Sequence, residues 1–338
     1  MRQLTVVAAG RVQWREVPEP TLAERHGALV RPLAAAVCDF DRAVIAGDYP
    51  ALPYPIAIGH EMVAEVVKLG EEVRTLRLGA RVVLPLHISC GACPSCRARR
   101  TNSCQARPPL SNYGLGARGG DWGGAMSDLV YVPWADHMAA PLPAGLTALD
   151  CAAVGCNLAD IHRTLSPQLQ RFTDPAVLVV GGRAHNMALY AVVMARALGA
   201  RRIDFLDDDA ERLEEAERLG ARPMRMGPSE GRSYPIVVEC GGAPERLATA
   251  LGRVAADGVC TPVWPYAESF AVPVGAMFYR NATLVTGQPH ARAHMDPVLD
   301  LMLRTGMSST SIPVEVLPWA EAPEAYGRGG IKRIFIRE

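Results

Sequence analysis

Apolar positions in the first 150 or so residues fall in short runs, LTVVAA, EMVAEVVKLG, ARVVLPL and LVYVP, each cut off by Gly or Pro. Runs of this length, rich in Val and bounded by turn formers, predict strands, and their irregular spacing predicts a mostly antiparallel β domain. From about Asp174 the rhythm changes. AVLVVGG is followed by MALYAVVMARALGA, RRIDFLD by AERLEEAERLGA, and PIVVEC by APERLATALGRV, with GVCTPVW and ATLVTG after them. Continuous apolar runs alternating with helical spacing predict βαβ units around a parallel sheet buried on both faces. After Gly287 the tail reads as a helix, PVLDLMLRTG, and a closing strand, IKRIFI.

A chain of 338 residues exceeds the usual size of one core, and 49% hydrophobic residues suffice to fill two domains. Thirty-five basic and 35 acidic residues cancel, which removes any global pull toward nucleic acid or an anionic membrane and makes a small molecule the expected partner. The opening MRQLTVVAAG lacks the apolar core and cleavage site of an export signal, and no apolar run approaches the ~20 residues of a membrane span. A cytoplasmic protein is expected. Nine cysteines in that reducing compartment point to metal rather than to disulfides.

Cys90, Cys93, Cys96 and Cys104 form C-x2-C-x2-C-x7-C, from which four thiolates can converge on one Zn2+, although clustered cysteines also hold iron–sulfur centres. The lobe around them, about residues 88–106, has Gly91, Pro94 and the polar run Arg97 to Arg100 but little to bury, so a metal would supply what a core cannot. Four thiolates leave no position for a substrate. The site reads as structural.

Outside the lobe, Cys38 opens C-D-x-D, Gly59-His60-Glu61 precedes a strand, and Cys156 lies in CAAVGCNLADIHRTL. C-D-x-D, then GHE, the cysteine lobe, G-G-A-x-S-D-L-x-x-V-P and a βαβ unit, in that order, resemble the zinc-dependent alcohol dehydrogenases of the medium-chain dehydrogenase/reductase superfamily over essentially the whole chain. The resemblance implies an α/β fold: a GroES-like β domain of residues 1–150 and 288–338, and a Rossmann doubly wound parallel-sheet domain of residues 151–287. It makes Cys38, His60 and Cys156 the ligands of a catalytic zinc, with Glu61 as the acidic neighbour that can approach the metal. Asp41 matches the carboxylate that orients the histidine and fixes its tautomer. Three protein ligands leave the fourth position open for a substrate oxygen.

The stretch AVLVVGGRAHNMALYAVVMARALGA resembles the first Rossmann strand, turn and helix. Lining up the helix places Arg183, His185 and Ala188 on the family's G-x-G-x-x-G, with Gly181 and Gly182 just before them. Arginine adds bulk there but can donate to phosphate. Asp207, some twenty residues on, matches the acid that accepts from the adenosine ribose and repels a 2′-phosphate, which favours NAD(H) over NADP(H). Asp209 is expected to cap the following helix. Lys332 sits where the family has a basic residue reaching the cofactor pyrophosphate. Phe40 and Ala43 occupy the places where many members carry a Ser or Thr and a His that pass on the alcohol proton, and neither can relay one. Cys151, Cys240 and Cys260 match no ligand and are expected in the core.

The implied activity is zinc-dependent interconversion of an alcohol and a carbonyl by hydride transfer with NAD(H), in a homodimer or homotetramer. The altered glycine turn and the missing relay keep a rival open: a redox-neutral zinc enzyme, such as a lyase, cyclase or isomerase, on the same scaffold.

Overall fold

The computed structural model describes residues 1–49, 51–116, 118–173, 175–227, 231–266 and 269–337. The chain forms two compact units, Met1–Ala159 with Pro289–Glu338, and Asp160–Gln288. The segment carrying Cys156 therefore belongs to the first unit. Asp174 lies outside the described residues.

The first unit is built on a mixed sheet whose strands run in the order Val314–Pro318, Lys332–Ile336, Ala28–Ala36, Glu61–Leu69, Arg81–Leu84 and Ala140–Pro141, with Val130–Val132 also pairing with Ala28–Ala36. Every pairing is antiparallel except that of the first two strands. Alternate residues such as Val30, Met62, Ala64, Val82 and Leu84 face one core. The register sets Ala36 opposite both Glu61 and Ile334. Cys38, His60 and Lys332 are thereby brought to one edge from distant parts of the chain.

The tail helix spans Ala291–Thr305 and begins upstream of Pro297, not at it as the sequence suggested. A proline inside a helix lacks the N–H that would bond the carbonyl four residues earlier. Here that carbonyl, on Ala293, accepts from the Arg99 guanidinium of the cysteine lobe, so the helix passes through the proline with its freed acceptor satisfied.

The second unit holds a wholly parallel sheet with, among the described residues, six strands: Arg222–Arg225, Arg202–Asp207, Ala176–Val180, Tyr234–Glu239, Val254–Pro262 and Thr283–Leu284. In chain order this is 3-2-1-4-5-6, the dinucleotide-binding order, whose direction reverses between Ala176–Val180 and Tyr234–Glu239. Val177 to Val180 are fully buried, as the continuous apolar run requires. Asp209 caps the helix Ala210–Arg218, its side chain accepting from the N–H groups of Glu211 and Arg212. The edge strand Arg222–Arg225 escapes sequence reading because its outward positions are charged.

Candidate functional site

Sγ atoms of Cys90, Cys93, Cys96 and Cys104 lie within 4.8 Å of one another. The backbone turns inward on them. N–H groups of Cys90, Cys93 and Gln105 each point at a sulfur, of Cys104, Cys90 and Cys93 respectively, at 3.4 Å. Gly91 has φ +76, and a Cβ there would meet the His137 ring at 2.6 Å, so only glycine makes this turn. Burial resists ionisation of Cys93, but the Gln105 N–H and its neighbours bring the thiol down to about 6, while burial pushes Cys96 up. Four sulfurs this close, one poised to ionise and another resisting it, fit a divalent cation that removes the conflict.

Ligand atoms of Cys38, His60 and Cys156 also lie within 4.8 Å of one another. Cys38 is the N-cap of the helix Asp39–Ala46, and its N–H donates to Asp41 Oδ2 at 3.0 Å in a capping box. That carboxylate is wholly buried. Its Oδ2 also accepts from the Tyr326 hydroxyl at 2.9 Å, and its Oδ1 lies 3.1 Å from His60 Nδ1, off the ideal hydrogen-bond line. With Nδ1 facing the carboxylate, Nε2 is the ring nitrogen left for a metal. Burial opposes a charge on His60, yet Asp41 outweighs it and lifts the imidazole well above its usual range. The hydrogen bond with Cys156 holds the Cys38 thiol well below its ordinary value against the effect of burial.

Cys156 sits on a five-residue π turn, Val154–Leu158, leading into the helix Ala159–Arg171. Such single widened turns recur at functional sites because they set neighbouring side chains at an angle an α-helix does not allow. Gly155 packs the turn onto the sheet, its carbonyl accepting from Leu86 N at 3.0 Å, and a Cβ would meet Leu84 O at 2.1 Å.

Glu61 is fully buried beside these groups. Its Oε1 accepts from the Asn157 backbone N–H at 2.7 Å and its Oε2 from Lys332 Nζ at 2.5 Å. Burial pushes its carboxyl up to about 7 despite the pull of the ammonium. Lys332 also donates to Asn157 Oδ1 at 2.7 Å, and Asn157 Nδ2 donates to the sulfurs of Cys38 and Cys156 at 3.3 and 3.7 Å. The sequence placed Lys332 on a cofactor pyrophosphate. In the structure its ammonium is wholly buried and held by Glu61 and Asn157, beside the three clustered ligand atoms.

In the second unit the strand ends at Val180 and the helix His185–Ala197 starts after Ala184, so Gly181, Gly182, Arg183 and Ala184 form the turn between them. Gly182 has φ +147, and a Cβ there would strike Gly241 Cα at 2.5 Å. Arg183 N and Ala184 N donate to the carbonyls of Gly241 and Cys240, both at 3.0 Å, and the Arg183 guanidinium lies 5.4 Å from the centre of the Trp264 ring. His185 meets Glu215 on the helix Ala210–Arg218, Nε2 to Oε2 at 2.6 Å, which commits its ring to that helix.

Asp207 ends its strand fully buried, with Oδ1 accepting from the N–H groups of Asp208 and Asp209 at 2.8 and 3.1 Å. Its Oδ2 has no hydrogen-bond partner among the described residues and lies 2.1 Å from where a Cβ on Gly181 would stand. Burial raises its pKa. Arg246 borders the pair, donating to Gly181 O at 2.9 Å and to Asp208 Oδ1 at 2.6 Å. The Arg212 guanidinium stands 3.7 Å from that oxygen, beyond hydrogen-bond reach, so a carboxylate oxygen beneath a turn that only glycine can make keeps room to accept from a ligand hydroxyl.

Residues 24–144 match the family pattern described as the alcohol dehydrogenase GroES-like domain. The chain is 30% identical over 336 residues to a probable zinc-binding alcohol dehydrogenase of Mycobacterium tuberculosis, covering 96% of this chain and 84% of that one. It belongs to the zinc-binding alcohol dehydrogenase family. A glutathione-independent formaldehyde dehydrogenase of Pseudomonas aeruginosa is 28% identical to this family member over 387 aligned positions, 99% of this chain and 96% of the relative. An alcohol dehydrogenase from Thermus sp. ATN1 matches it in structure over 100% of both chains, with a TM-score of 0.89 and 29% identity. The fold is accordingly a GroES-like domain with a Rossmann domain.

Within this alcohol dehydrogenase scaffold Phe40 packs edge-on to Tyr49, ring centres 4.7 Å apart, and Ala43 is buried, so the usual places of a proton relay are filled by apolar groups. Asp39 is ion-paired with Arg42 at 3.4 Å, and Glu61 is held by Lys332. Sequence reasoning missed Tyr326 and Asn157. Asn157 left a signal, a lone amide in the apolar run around Cys156. Cys151, Cys240 and Cys260 are fully buried, in keeping with packing roles.

Proposed function

We propose that this protein is a zinc-dependent oxidoreductase that interconverts a small alcohol and its carbonyl with NAD(H). The observation that carries the reading is the convergence of Cys38, His60 and Cys156, two sulfurs and an oriented imidazole, beside a separate closed set of four cysteines. When bound, zinc at the three-ligand set supplies Lewis acidity toward a substrate oxygen, and the nicotinamide supplies or accepts hydride. Asp41 holds the His60 ring through Nδ1, and Tyr326 and the Cys38 N–H hold Asp41. Lys332 balances the Glu61 carboxylate in the dry interior around the ligands. Asp207 Oδ2, which accepts no hydrogen bond under Gly181 and has only the Arg212 guanidinium 3.7 Å away, supports recognition of an adenosine ribose hydroxyl, hence NAD(H) over NADP(H). Arg183 is in place to approach a pyrophosphate by leaving the face of Trp264.

No described helix is long and apolar enough to cross a membrane. A cytoplasmic homodimer or homotetramer completes the reading, checked by fractionation and light scattering. The deciding experiment combines metal analysis, a fluorescence titration with NADH and NADPH, and turnover on a panel of alcohols and carbonyls. Two zinc ions per chain, tighter NADH than NADPH binding and hydride transfer are expected. Full zinc with no dinucleotide binding and no turnover would refute the oxidoreductase and favour redox-neutral zinc chemistry.

A further inference from the structure

Asn157 touches four of the groups gathered around the three clustered ligand atoms: Glu61, Lys332, Cys38 and Cys156. Its backbone N–H holds Glu61, its carbonyl oxygen takes the Lys332 ammonium, and its amide N–H2 reaches both ligand sulfurs. The orientation of the side chain is fixed by chemistry. An ammonium can only donate, so the amide oxygen must face Lys332 and the N–H2 must face the thiols. A reversed amide would set donor against donor at 2.7 Å in a fully buried site.

We propose that Asn157 is a positioning residue that tunes the metal centre: its amide, polarised by Lys332, donates to Cys38 and Cys156 and draws electron density away from the two sulfurs. Hydrogen bonds in series strengthen one another in a low-dielectric interior, so the ammonium acts on sulfurs that it does not touch. A thiolate that accepts an N–H gives less charge to a metal and leaves it more electrophilic toward the substrate oxygen. The π turn makes this possible, since it sets Cys156 and the next side chain together on the metal side. The inference rests on Cys38, His60 and Cys156 being metal ligands.

The test uses full-length protein with zinc kept in the cysteine lobe and cobalt exchanged into the three-ligand site, with His60→Ala as the blank for cobalt in the lobe. Sulfur-to-cobalt charge-transfer absorption reports directly on the sulfurs. Asn157→Leu preserves side-chain size and removes both donors. It should move the band to longer wavelength, because sulfurs without N–H donors give up an electron more easily, and should lower kcat by about 10- to 100-fold. Asn157→Ala provides the same reading if the leucine variant does not fold. A band at the wild-type wavelength in either folded variant would overturn the role of Asn157. Wild-type protein without a cobalt–thiolate band above the His60→Ala blank would instead overturn the ligand assignment on which the proposal stands.

Discussion

Substituting Gly155 by Ala tests whether the π turn is what places Cys156. Gly155 carries no positive φ, so backbone preference does not oppose the change and the entire effect comes from contact. A Cβ would stand 2.1 Å from Leu84 O, and real Cβ contacts essentially never fall below 3.0 Å. Leu84 ends its strand but is fully buried and paired to Met62, so the turn is the part expected to move, by about 0.9 Å or more. Metal–ligand distances tolerate only about 0.2 Å, several times less than that displacement. Overpacking should also cost about 1–3 kcal/mol of stability. After dialysis against a weak chelator the variant should retain the lobe zinc and lose the other, and kcat/KM should fall by about 100-fold, the usual result of a 1 Å misplacement. Zinc content by mass spectrometry and steady-state kinetics decide the matter. Two zinc ions per chain with unchanged kcat/KM would show that Cys156 does not depend on this contact.

Cys96→Ser should lower the thermal midpoint and remove one zinc without altering NADH affinity, because the lobe has little core of its own; loss of turnover with unchanged stability would reverse the two metal assignments. Asp207→Ala should narrow the preference for NADH over NADPH in paired titrations, and equal affinities in the unmodified protein would remove that role from Asp207. Burial, reinforced by Arg292, lowers His137 to about 4. Unfolded chains therefore bind its proton first, and stability should fall as pH drops from about 6.5 toward 4. His137→Gln should flatten that part of a plot of thermal midpoint against pH, and an unchanged slope would assign it to other groups.

Local chemistry was legible in the sequence and assembled chemistry was not. The cysteine lobe could be read from spacing alone because its four ligands lie within one loop. Cys38, His60 and Cys156 have no spacing rule, since strand pairing brings them together, and only resemblance identified them. Apolar rhythm marked the inner strands of the parallel sheet, where both faces are buried, but not the edge strand Arg222–Arg225 with its charged outer positions. Helix periodicity alone does not say where the glycine turn starts, because it slides easily by two residues, whereas the structure ends the strand at Val180. Pro297 looked like a helix start, and only a tertiary partner, Arg99, let the helix run through it. A basic residue in the closing strand suggested phosphate. Its burial beside Glu61 depends on a register no single strand encodes.

The first unit is interrupted between Ala159 and Pro289, and this gives its two metal sites different histories on the ribosome. All four lobe cysteines emerge within one short stretch and can capture zinc while the chain is still growing. The other site waits. Its three ligands are synthesised by residue 156, but the hydroxyl that braces Asp41 and the ammonium that neutralises Glu61 belong to Tyr326 and Lys332, on the far side of the whole second unit. At ordinary translation rates that gap is on the order of ten seconds or more. Until it closes, two acids destined for burial each lack one partner, the Tyr326 hydroxyl for Asp41 and the Lys332 ammonium for Glu61, which favours an open, hydrated half-domain over a collapsed one. On the proposed assignment, the zinc that meets the substrate thus finds a finished home after the lobe zinc does.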